Sequence, residues 1–76
     1  MRIAFLWDRM TPPSEDELVL IPRRDVQILH HDQWEPSAAT LDELMFLDGH
    51  VASRPKLVRG NEKSGLHRYE FCLEER

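Results

Sequence analysis

The side chains able to do chemistry in this sequence are four histidines, one cysteine and fourteen carboxylates. Their spacing decides whether they can work together. A structural zinc site takes four ligands, arranged as two close pairs. His30 and His31 are adjacent, so on a strand they would face opposite sides and on a helix they would diverge by about 100°. His67 and Cys72 differ in strand parity and would point apart as well. Asp32 is near the histidine pair, but nothing in the spacing turns it toward them. The expectation is no metal site, with the histidines as surface side chains.

A catalytic cysteine needs a base within hydrogen-bond reach and an electropositive setting. Cys72 sits instead among Glu70, Glu74 and Glu75, a stretch of the wrong sign for that chemistry. It reads as a small packing residue or an unreactive surface thiol. The runs Glu15-Asp16-Glu17 and Asp42-Glu43 stand at the starts of loops or helices, where carboxylates suit the helix dipole or the solvent. Gly60-Asn61-Glu62-Lys63-Ser64-Gly65 has the two glycines of a phosphate loop. The Lys-Ser/Thr pair should follow the second glycine, and Leu66-His67 stands there. The sequence therefore predicts a protein that is not an enzyme and takes no cofactor.

The elements that must carry these residues fit one small α+β domain spanning residues 1–76. Ile3 to Trp7 is a short apolar run with aromatics on one parity, which predicts a strand buried on both faces. Trp7 is expected to join the core. Pro12-Pro13 must break the strand. Ser14 and Glu17 have capping-box spacing, but Leu18-Val19-Leu20-Ile21 ends at Pro22 and reads as a second strand. Arg23 to Trp34 fits either a short helix or an irregular strand. Thr40 and Glu43 form a capping box ahead of Leu41, Leu44 and Met45, with Phe46 and Leu47 widening the apolar face. Gly49 stands where a glycine would stop that helix. From Lys56 to Leu73, two runs flank a polar loop, and His67, Tyr69, Phe71 and Leu73 share a parity. That is a C-terminal β-hairpin. The sum is a mostly antiparallel sheet of three or four strands with one or two short helices.

Length and composition bound the rest. Seventy-six residues, 41% apolar and 32% charged, allow one thin core and leave no room for a lidded catalytic cleft. A single cysteine makes a reducing cytoplasm the expected compartment. The N-terminus lacks the long apolar region of a signal peptide. No stretch reaches the roughly 18 apolar residues of a membrane span. A homodimer would be a sensible route to a larger core.

Charge is segregated along the chain. Residues 1–49 hold four basic and ten acidic side chains, whereas residues 50–76 hold six basic and four acidic. Such polarity serves recognition or solubility. The leading expectation is a small acidic regulator or inhibitor that acts by occupying a partner protein with a basic surface. Glu15, Asp16, Glu17, Asp32 and Glu35 would supply the charge and Trp34 the anchor, since tryptophan is a frequent hot-spot residue. In size and in its lack of a catalytic set, the chain resembles small phage- or plasmid-encoded modulators of host machinery.

The alternative is nucleic-acid binding. Leu41-Asp42-Glu43-Leu44, then Gly49, then Ser53-Arg54-Pro55-Lys56-Leu57-Val58, resembles part of a winged helix-turn-helix over about thirty residues. The resemblance implies that Ser53 caps a recognition helix and that Arg54, Lys56 and Arg59 face DNA. Gly60–Phe71 would be the wing, with Lys63 and Arg68 near phosphate. The overall acidity of the chain works against phosphate neutralisation.

Overall fold

In the computed structural model, which describes residues 1–45, 50–61 and 63–75, strand β1 (Arg2–Trp7) lies at the middle of an antiparallel sheet. On one side it pairs with β2 (Val26–His30), setting Ile3 opposite Ile28 and Phe5 opposite Val26. On the other it pairs with β6 (Leu66–Glu75), setting Ile3 opposite Phe71 and Phe5 opposite Tyr69. Strand β3 (Gln33–Pro36) continues the sheet beyond β2. The far edge of β6 is shared in tandem by β5 (Lys56–Asn61) and β4 (His50–Ala52). Six strands thus fill five positions, more than the three or four expected. The α+β class and the C-terminal hairpin stand.

Alternation sorts the side chains onto two faces. Ile3, Phe5, Val26, Tyr69, Phe71 and Leu73 point to one face and are buried there with Leu18, Ile21, Leu41 and Leu44. Those last residues come from the segments lying over the sheet, among them α1 (Glu15–Leu18) and α2 (Leu41–Met45). Phe5 stacks on Tyr69 with ring centroids 5.5 Å apart and meets Phe71 edge-on at 6.0 Å. Each such pair adds about 0.5–1.5 kcal/mol to the burial of its area. Tyr69 donates its hydroxyl to the Arg9 carbonyl at 2.8 Å, and burial raises its phenol above the ordinary value. Trp7 packs against this core half-buried, with its indole N–H donating to the Thr11 carbonyl.

Two expectations need correction. Leu18–Ile21 is not a strand. Ser14 and Glu17 form the complete capping box, and α1 starts there. Leu18 and Ile21 are buried while Val19 and Leu20 are exposed, which is the spacing of a turn of helix rather than of a strand. The ambiguous segment 23–34 holds a 3₁₀ turn (Arg23–Asp25), strand β2 and the start of β3, so it is a hairpin. Its turn is built by His31 and Asp32, both with positive φ, 50° and 63°, conformations uncommon outside glycine but tolerated best by Asn, Asp and His. Phe46, Leu47 and Gly49, expected to widen and stop α2, lie outside the described residues. No described helix is long and apolar enough to cross a membrane.

Glu17 ties α1 together. Its carboxyl is held below the ordinary value, first by the Ser14 amide, then by the Ser14 hydroxyl, with the Arg9 guanidinium adding to both. A carboxylate with a lowered folded-state pKa stabilises above its unfolded value and loses that contribution as pH falls through the folded one. Glu17→Gln is expected to be less stable than wild type at neutral pH. The gap should close on acidification through the carboxylate range, as urea melts at several pH values would show. Tyr69→Phe should cost about 0.5–1.5 kcal/mol by the same measurement, for the lost hydrogen bond.

Candidate functional site

Because the described helices lie on one side, the opposite face of the sheet is closed, among the described residues, by the sheet's own side chains. Ala4 of β1 points to this face, between Gln27 and Glu70, yet is fully buried. Long neighbours therefore close over it. Trp34 reaches this face from β3, opposite Leu29, and is half-buried. Arg68 lies over its ring with the guanidinium carbon 4.6 Å from the centroid, and Arg2 approaches at 5.9 Å. Both arginines are held elsewhere too. Arg68 donates to the Gln27 side-chain oxygen at 2.8 Å, and Arg2 pairs with Glu70 at 2.6 Å. The indole is thus set between two cations whose positions are already fixed.

Strand β5 brings more positive charge to the same face through an irregularity. Leu57 is opposite Tyr69, but the next pair is Arg59 with Arg68, so Val58 is the extra residue of a bulge. Regular pairing would have set Val58 against Arg68 and turned Arg59 to the helix side. The bulge instead puts two arginines directly opposite each other. Arg54, Lys56 and Arg59 have no acidic partner among the described residues.

Three shallow grooves cross this face. One lies between Leu6 and the hairpin, walled by Arg59, Lys63 and Arg68. A second shares Arg59 and Arg68 and passes Val58 to reach Trp34 and Gln27. A third runs between Arg2 and Lys56 over Phe71 and Cys72, with Arg54, Glu70 and Glu74 also bordering it.

The residues expected to bind protein are not gathered. Glu15 and Asp16 are exposed on α1, where Glu15 borders a groove with Arg54 and Pro55 from the β4–β5 connection. Glu17 is engaged by Ser14 and Arg9. Asp32 sits in the β2–β3 turn, and Glu35 on β3 meets His30 at 3.5 Å. Trp34 stands on the other edge of the sheet from the β4–β5 connection. Of the basic set, Arg59, Lys63 and Arg68 converge, Lys56 follows along β5, and Arg54 borders the third groove and the α1 groove.

The winged-helix arrangement is not what this chain builds. Residues 53–55 have no regular secondary structure and 56–61 are strand, so no recognition helix follows Ser53. Ser53 caps nothing. It pairs with Cys72, taking the Cys72 amide on its hydroxyl and donating its own amide to the Cys72 carbonyl. The adjacent histidines also differ from expectation. The positive φ of His31 turns the chain so that the His30 and His31 rings touch, with centroids 4.0 Å apart. Among the described residues, no three His, Cys, Asp or Glu side chains come together as metal ligands.

Sequence reasoning missed the Arg2–Trp34–Arg68 cluster and the role of Gly60. These arginines lie 32 and 34 residues from Trp34 in the chain, so only the strand order unites them. Gly60 is opposite His67, and a Cβ there would stand 2.7 Å from the ring nitrogen Nδ1. That nitrogen is buried and has no hydrogen-bond partner among the described residues. Comparisons with known families, with curated proteins and with solved structures find no match for this chain.

Arg59→Glu would replace a like-charge cross-strand pair with an opposite-charge one. It should raise stability by about 0.2–1 kcal/mol in thermal or urea melts. Gly60→Ala should lower it, because His67 must move to admit the methyl group.

Proposed function

We propose that this protein is a non-catalytic binding protein that regulates or inhibits a partner protein by occupying its surface, with the uncovered sheet face as the contact. The observation that carries this reading is Trp34, held between Arg2 and Arg68 on the face that the described helices leave open. Tryptophan and arginine dominate interface hot spots. An anchor already fixed by its neighbours loses less side-chain entropy on binding. The reading centres the contact on Trp34 and leaves Glu15 and Asp16 as charged surface on the helix side.

A second reading, nucleic-acid binding, has one specific observation in its favour: Arg59, Lys63 and Arg68 wall a single groove. On that reading the basic residues act from a sheet face rather than from a winged helix. Affinity would fall steeply with salt.

Capture from native lysate, with and without nuclease, separates the two. Tagged wild type should retain a protein partner after nuclease. Trp34→Ala, checked for folding by circular dichroism, should lose it by about thirtyfold, the scale of a 2 kcal/mol hot spot. Glu15→Gln/Asp16→Asn should bind as wild type does. A partner kept by Trp34→Ala but lost by the α1 variant would move the contact to α1. Nucleic acid in place of protein would establish the second reading.

A further inference from the structure

We infer that the uncovered face takes an extended segment of the partner that is both acidic and apolar, with its carboxylates on Arg59, Arg68 and Lys63 and its apolar side chains on Trp34 and Val58. The inference rests on the reading of this face as a protein contact, and it assigns the chemistry of what binds there.

Like charges directly opposite each other on neighbouring strands destabilise a sheet. Arg59 and Arg68 are such a pair, and Arg59 has no acidic partner among the described residues. The pair exists because of the Val58 bulge, which turns Arg59 onto this face. Bulges re-aim side chains in this way and are common beside functional sites. An anion supplied from outside would answer both guanidinium groups, and a carboxylate matches their fork geometry.

The surroundings specify what kind of anion. The cations do not form an unbroken track. Leu6 and Leu66 line the groove with Arg59 and Lys63, while Val58, 53% exposed, and Trp34 line the groove that continues from it. Carboxylate and apolar positions therefore have to alternate along the occupant. A peptide does this freely, and strand-like peptides present alternate side chains to such a surface. A nucleic-acid strand carries a phosphate at every nucleotide. On this face the third groove mixes Glu70 and Glu74 with Arg2, Arg54 and Lys56, so no continuous run of cations tracks such a strand. The interrupted pattern of cations thus favours an acidic and apolar protein segment over a polyphosphate at this face.

Uncompensated cations on an edge strand have a structural use as well, since they discourage strand-to-strand aggregation. The experiment has to separate that role from recognition. Trp7→Phe leaves Trp34 as the sole tryptophan reporter, once its fold is confirmed. Its fluorescence is titrated with a peptide of about ten residues alternating Glu with Leu and Phe, with the same peptide carrying Lys for Glu, and with an oligothymidylate of matched length. The acidic peptide should bind at least tenfold more tightly than the lysine peptide and than the oligonucleotide. Its affinity should fall with salt and drop at least tenfold in Arg59→Glu, although that variant is expected to fold more stably.

No saturable response to the acidic peptide, equal affinity for both peptides, unchanged binding by Arg59→Glu, or tighter binding of the oligonucleotide would each overturn the inference. The lysate capture keeps its failure distinct from that of the contact reading. A partner lost by Trp34→Ala but kept by Arg59→Glu leaves the face as the contact and removes the acidic chemistry.

Discussion

Everything in this domain hangs on strand β1 being buried from four directions at once. Ile3, Ala4 and Phe5 are all inaccessible, which requires a hydrogen-bonded neighbour on each edge and a cover on each face. A 76-residue chain cannot supply two helical layers. The described helices are a few residues long, and they meet the side on which Phe5, Tyr69 and Phe71 stack. The other side of β1 must be sealed by side chains rising from the sheet itself. This asymmetry separates the sheet into a face covered by the described helices and a face covered by its own side chains.

On the sealed face the cover is made by long polar side chains and an indole. Arginine stems and an indole can shield an alanine while keeping their polar ends in solvent. Gln27 and Glu70 each hold one of the two arginines that flank Trp34, so the cluster is preorganised by bonds within the sheet. The Val58 bulge then sets Arg59 beside this cluster, where electrostatics within the free protein would not choose to put it. Positive charge collects on one face of a chain that is acidic overall. Net charge alone would have misjudged the kind of surface this face offers.

Much of the framework is legible in the residues themselves. The β1 run, the parity of Tyr69, Phe71 and Leu73 and the flanked loop before Leu66 declare strands, because burial imposes a period of two wherever one face is covered. The Thr40–Glu43 spacing declares a helix start for the same kind of local reason, and in the structure Glu43 does donate its amide to the Thr40 hydroxyl. The reading fails where two local signals compete. At Ser14–Ile21 the capping box prevails over a β-branched apolar run, and Val19 and Leu20 remain exposed. At His31–Asp32 a two-residue turn forms without glycine, so a hairpin is hidden among residues that fit helix or strand equally well.

The elements whose periodicity burial enforces, the small size of the chain and its asymmetry of charge are all written in the residues. Which of those charges share a face is settled by the strand order. Arg2, Trp34 and Arg68 come from three parts of the chain, and only the order β3–β2–β1–β6 sets them side by side. Whether Arg59 joins them depends on one bulged residue, because a single-residue shift in a strand exchanges its two faces. Local sequence carries the period of a strand but not its neighbours or its register, and the candidate site is made of both.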